Sequence, residues 1–89
     1  MYFVTTLCNV DEDKRCVGYF KTFEEAENIV LNNIGDINET IYDYSIIENI
    51  SEGLYQYDKN ASWYQWNNGK YEKINKPDIY NHLVGWAIG

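Results

Sequence analysis

Two runs rich in β-branched and aromatic residues, separated by a polar stretch, open the chain. Tyr2-Phe3-Val4-Thr5-Thr6-Leu7-Cys8 predicts a strand, residues 9–15 a loop, and Cys16-Val17-Gly18-Tyr19-Phe20 a second strand. Together they predict a hairpin. Gly18 inside a strand signals a bulge or a close backbone approach.

The periodicity then changes from two to 3.6. Phe23, Ala26, Val30 and Ile34 recur at helical spacing on one face. Thr22 is placed as N-cap with Glu25 three residues on, which is a capping box. Glu24, Glu25 and Glu27 fall in the opening turns, where the helix dipole favours anions. Gly35 suits the position just past the last turn. These signals predict a helix over about 22–34, and Asp36-Ile37-Asn38-Glu39 repeats the cap spacing for one further turn.

Alternation returns at residues 42–50, which predict a strand broken by Ser51-Glu52-Gly53. Trp63-Tyr64-Gln65-Trp66-Asn67 and Lys70-Tyr71-Glu72-Lys73-Ile74 flank Asn68-Gly69, a strong short-range hairpin signal. Pro77 ends that strand. The apolar run Leu83-Val84-Gly85-Trp86-Ala87-Ile88 predicts a last strand tied into the sheet. The expected order is β-β-α-β-β-β-β: one α+β domain over 1–89, an antiparallel sheet covered on one face by a single helix.

Composition sharpens this picture. The 89 residues include three Trp, nine Tyr and three Phe, more than one small core needs, so some aromatic rings are expected at the surface. In the strand 63–67, Trp63 and Gln65 point one way and Tyr64 and Trp66 the other, so both faces of the sheet carry aromatics. They read either as packing or as interface anchors.

The net charge is −7, and the carboxylates are not evenly spread. From Thr22 to Asp58 the chain holds nine carboxylates and no Lys or Arg. A surface of this sign repels nucleic-acid phosphates, so no direct nucleic-acid partner is expected. Either the segment is a solvated helix face with acidic loops, or it docks onto a basic protein surface. In the second case the partner-binding candidates are Glu24, Glu25, Glu27, Asp36, Glu39 and Asp43, with Tyr42, Tyr44 and Trp66 as apolar anchors.

Catalytic chemistry finds little support. No nucleotide-binding glycine loop, nucleophile elbow or zinc-protease helix is present. Asp11-Glu12-Asp13 lacks the alternating ligand spacing of a calcium loop. Cys8, Cys16 and His82 do not form a zinc-ligand pattern, so no metal or cofactor is expected. The two cysteines read as free structural thiols, with a thiol switch or a His82-assisted nucleophile as the alternative. No leader and no membrane-length apolar run is visible, which places the chain in the cytoplasm as an expectation.

Arg15-Cys16-Val17-Gly18-Tyr19-Phe20, Phe23-Glu24-Glu25-Ala26, Tyr42-Asp43-Tyr44, Ile47-Glu48, Glu52-Gly53-Leu54-Tyr55-Gln56-Tyr57-Asp58, Trp63-Tyr64, Lys76-Pro77 and Val84-Gly85-Trp86-Ala87-Ile88-Gly89 together resemble a family of small uncharacterised proteins of Firmicutes and their phages and mobile elements. The resemblance covers nearly the whole sequence, reaches the terminal glycine and so implies a complete chain. It brings no catalytic residues. Its implication is contextual: small acidic proteins of mobile elements often inhibit host defence machinery, anti-CRISPR proteins among them, some as mimics of nucleic acid. The expectation is a non-enzymatic binding protein, of host cytoplasm if phage-encoded, whose acidic surface meets the basic nucleic-acid-binding groove of an effector such as a CRISPR nuclease. A housekeeping interaction module or homodimer, pairing through a sheet edge or exposed aromatics, stands beside it. A small thiol enzyme is the third reading.

Overall fold

A computed structural model describes residues 1–8, 13–32, 34 and 43–88. The elements are β1 (Tyr2–Leu7), β2 (Lys14–Phe20), α1 (Phe23–Leu31), β3 (Tyr44–Asn49), β4 (Ser62–Asn67) and β5 (Lys70–Ile74), followed by a 3-10 turn at Asp78–Tyr80. The strands form one antiparallel five-stranded sheet in the order β2-β1-β3-β4-β5.

The local signals place most of these elements. Thr22 caps α1: its hydroxyl accepts the Glu25 amide at 3.2 Å and donates to the Glu25 carboxylate at 3.1 Å. The helix ends earlier than the apolar spacing predicts. The backbone and side-chain amides of Asn32 both donate to the Asn28 carbonyl, closing the last turn, and Ile34 is left exposed. Gly35 and the turn expected at Asp36–Glu39 lie outside the described residues. Asn68 and Gly69 both adopt positive φ, at 52° and 88°, as a tight two-residue hairpin requires.

Gly18 marks a bulge, as expected. Val4 faces Gly18 and Thr5 faces Cys16, so Val17 is the extra residue of β2. The hairpin begins earlier than predicted, because Lys14 and Arg15 pair with Leu7 and Thr6. Cys8 therefore lies beyond the paired residues and is not opposite Cys16.

The main correction concerns residues 83–88. They form no strand. The segment crosses the face of the sheet opposite the helix as an irregular strap, so the sheet is covered on both sides. This accounts for the surplus of aromatic rings. One core, beneath α1, gathers Val4, Ala26, Val30, Ile47, Tyr64 and Tyr71. The other, beneath the strap and the 3-10 turn, gathers Leu7, Tyr44, Ile46, Trp63, Tyr80 and Trp86. In the second core Trp63 stacks on Tyr80 with ring centres 5.6 Å apart and meets Trp86 edge-on at 4.9 Å. Each such ring contributes burial of about 2–3 kcal/mol and fixes its neighbours' orientation.

Candidate functional site

Tyr2 lies opposite both Phe20 and Asn49. The chain therefore leaves β2 toward α1, and leaves β3 toward the loop at 50–61, at one end of the sheet. Glu24 and Glu25, in the first turn of α1, and Glu52, in that loop, share this end and are exposed. Lys73 brings a positive charge to the same turn, its Nζ 5.7 Å above the Phe23 ring.

The other described acids of the segment from 22 to 58 are engaged within the fold. The Glu27 carboxylate accepts the Tyr64 hydroxyl at 2.6 Å, tying the helix to β4. Burial, and then this bond to Glu27, push the Tyr64 phenol well above its ordinary range. Asp43 is half-buried at the start of β3, at the opposite end of the sheet, and its carbonyl accepts the Trp66 amide at 2.8 Å. Asp58 caps two backbone amides, those of Asn49 at 2.8 Å and Asn60 at 2.9 Å. Asp36, Glu39 and Tyr42 lie outside the described residues.

Glu48 is wholly interior, with 1% of its surface exposed. It alternates with Tyr44 and Ile46 and so points at the strap. One oxygen accepts the Ala87 amide at 2.8 Å, both accept the Trp86 amide, and the Tyr55 hydroxyl donates at 3.3 Å. Burial raises the Glu48 pKa, against the lowering effect of these donors, and the nearby charge of Asp58 adds slightly to the rise. Burial, then the charge of Glu48 and the hydrogen bond to it, hold the Tyr55 phenol up at about 12.

The apolar anchors divide as well. Tyr44 is in the second core, edge-on to Trp63 and Tyr80 at 5.9 and 5.7 Å, and is not available to a partner. Trp66 is half-buried against Tyr71, with ring centres 5.1 Å apart, on the helix side of the sheet. Sequence reasoning passed over a different apolar surface. Phe3 and Tyr19 lie side by side on the strap side of β1 and β2, with ring centres 5.4 Å apart, and Tyr19 is 62% exposed. Met1, Phe3, Ile50, Gly53 and Ile88 line a groove of about 400 Å³ at the same end of the sheet. The signal was the pairing of two aromatic runs in the first hairpin, which places such rings across from each other.

Cys8 is half-buried and Cys16 exposed, and both are free thiols. His82 is exposed in the turn after Tyr80. Among the described residues no three His, Cys, Asp or Glu side chains gather as a metal site would need, and no helix is long and apolar enough to cross a membrane.

No family model matches this chain, and neither a curated protein nor a solved structure does.

Proposed function

We propose that this chain is a non-enzymatic binding protein whose acidic surface docks onto the basic, nucleic-acid-binding groove of a protein partner, in the manner of an anti-CRISPR-type inhibitor of a host defence nuclease. The observation that supports it is the exposure of Glu24 and Glu52 at one end of the sheet, with Glu25 next to Glu24 and also accepting the Thr22 hydroxyl, whereas Glu27, Glu48 and Asp58 are taken up by hydrogen bonds inside the fold. The Thr22 hydroxyl holds the Glu25 carboxylate at the capped first turn, so that charge is presented at little entropic cost. Charge of this kind steers a basic partner and makes association fast and salt-sensitive.

The test is binding to a purified, guide-loaded CRISPR effector at rising salt, with target duplex as competitor. The Glu24→Lys/Glu52→Lys variant leaves the Thr22–Glu25 cap intact. Its binding should weaken at least tenfold, chiefly through slower association. Binding that is unaffected by salt and by both substitutions sinks this reading.

A second reading, an interaction module or homodimer, is favoured by the apolar surface of Met1, Phe3, Tyr19 and Ile88. Pairing through the edge of β2 is discouraged by its bulge and by exposed Lys14 and Arg15, devices that keep sheet edges apart. Light scattering separates the readings. A stable dimer that Tyr19→Ser and Ile88→Ser dissolve supports the module, and a monomer at high concentration removes the homodimer.

A further inference from the structure

The strap leaves a cleft of about 230 Å³ between itself and the loop at 57–61, and the chemistry lining that cleft is not the chemistry of the acidic surface. Its lining includes Tyr57, Lys59, Trp63, Lys76, Val84 and Trp86. Two lysines and three aromatic residues thus line one concavity of a protein whose net charge is −7.

Lys76 is held in position. Its Nζ donates to the Leu83 carbonyl at 2.6 Å and lies 5.9 Å above the Trp86 ring. An ammonium carries three hydrogens, and the Leu83 carbonyl takes one. Lys59 stands on a turn that is equally constrained. The neighbouring Asp58 accepts the Asn49 and Asn60 amides, and the Ala61 amide donates to the Asp58 carbonyl at 3.3 Å. The Asp58 carboxylate also lines the cleft and opposes an incoming anion. Both its oxygens already accept backbone amides, which offsets part of that charge, and two cations stand against it.

We infer that this cleft binds a small planar organic acid, its carboxylate or phosphate on Lys59 and Lys76 and its flat apolar body against Val84, Tyr57 and Trp86. The volume is below the roughly 300–1,000 Å³ of drug-sized sites, which limits the ligand to on the order of ten non-hydrogen atoms. A charged group fixed by two lysines and a ring seated on aromatic walls are the usual division of labour in such pockets: few polar contacts orient, apolar contacts hold. This inference is independent of the partner proposed for the acidic surface.

The experiment follows the Trp86 indole and the Lys59 and Gly85 amides by nuclear magnetic resonance during titration with benzoate, phenyl phosphate, inorganic phosphate and benzylamine. Benzoate or phenyl phosphate should produce saturable shifts at these residues, and which of the two binds tighter identifies the anionic group. Lys59→Gln and Lys76→Gln should each weaken that binding about five- to tenfold. Lys59 is exposed, so its variant should keep the parent thermal midpoint and remains informative if Lys76→Gln loosens the strap. The inference is overturned if neither aromatic acid saturates, if benzylamine binds as well as benzoate, if inorganic phosphate alone binds as well as phenyl phosphate, or if Lys59→Gln leaves affinity unchanged.

Discussion

The amide of Trp86 donates to both oxygens of the Glu48 carboxylate, at 3.1 and 3.2 Å, across 38 positions of sequence. With the Ala87 amide it makes a backbone cradle for a buried carboxyl group, and it fastens the strap to the sheet without any strand ladder. Removing the acceptor leaves the buried Trp86 amide and the part-buried Ala87 amide without it, whereas a glutamine side chain still accepts from them. Glu48→Ala should therefore cost about 2–4 kcal/mol, and Glu48→Gln much less. The pH dependence distinguishes the charge from the geometry. Because burial raises the folded pKa of Glu48, its contribution to stability is fully present below the ordinary value of 4.5 and is lost as pH rises through the folded value. Urea unfolding should show Glu48→Gln gaining on the parent as pH rises from acid toward neutral. A parent that instead gains on the variant over that range would contradict this account.

Gly85 is the second fastening. Its φ is 83°, and a Cβ built there collides with the Tyr55 hydroxyl and comes within 3.1 Å of the Tyr55 Cζ. Gly85→Ala should lose about 2–4 kcal/mol in thermal or urea unfolding, from the strained backbone and the collision together. Tyr55→Phe in the same chain should restore part of the loss, because the closest atom is gone. Strict additivity of the two substitutions would show that Tyr55 does not press on Gly85.

Tyr64 and Glu27 couple the helix to β4. Tyr64→Phe should cost about 1–2 kcal/mol, the value of a hydrogen bond to a charged acceptor whose loss also leaves Glu27 without that donor. The Tyr64 phenol is raised in the folded state, so its contribution is whole below the ordinary tyrosine value of 10.0 and disappears as pH rises through the folded one. An absorbance titration should show the Tyr55 and Tyr64 steps displaced above the ordinary tyrosine value of 10.0. Glu27→Gln should move one of these late steps to lower pH. A titration unchanged by Glu27→Gln would contradict the coupling.

Thr5 is completely buried on the strap side of β1, beside the bulge, and its Oγ1 has no hydrogen-bond partner among the described residues. The near-isosteric Thr5→Val should be neutral or stabilise by about 1 kcal/mol in urea unfolding. A clear loss of stability would mean that the hydroxyl is satisfied in solution.

What could be read along the chain is what neighbouring residues decide. The Thr22–Glu25 box starts α1, Asn68-Gly69 turns β4 into β5, Gly18 marks the bulge, and alternation at 63–66 puts rings on both faces, because each effect acts within a few residues. The end of α1 was legible only in part, since the amide cap at Asn32 overrides the apolar spacing that continues to Ile34. The acidic stretch could be counted but not sorted. Glu48 and Glu52 look alike in sequence, yet one is interior and the other exposed, because only the returning strap supplies amide donors to Glu48. A continuous apolar run such as 83–88 fits a strand and a buried coil equally well. Long-range contacts, the bonds of Trp86 to the Glu48 carboxylate across 38 positions and the fit of Gly85 under Tyr55, decided that it crosses the sheet and closes a second core.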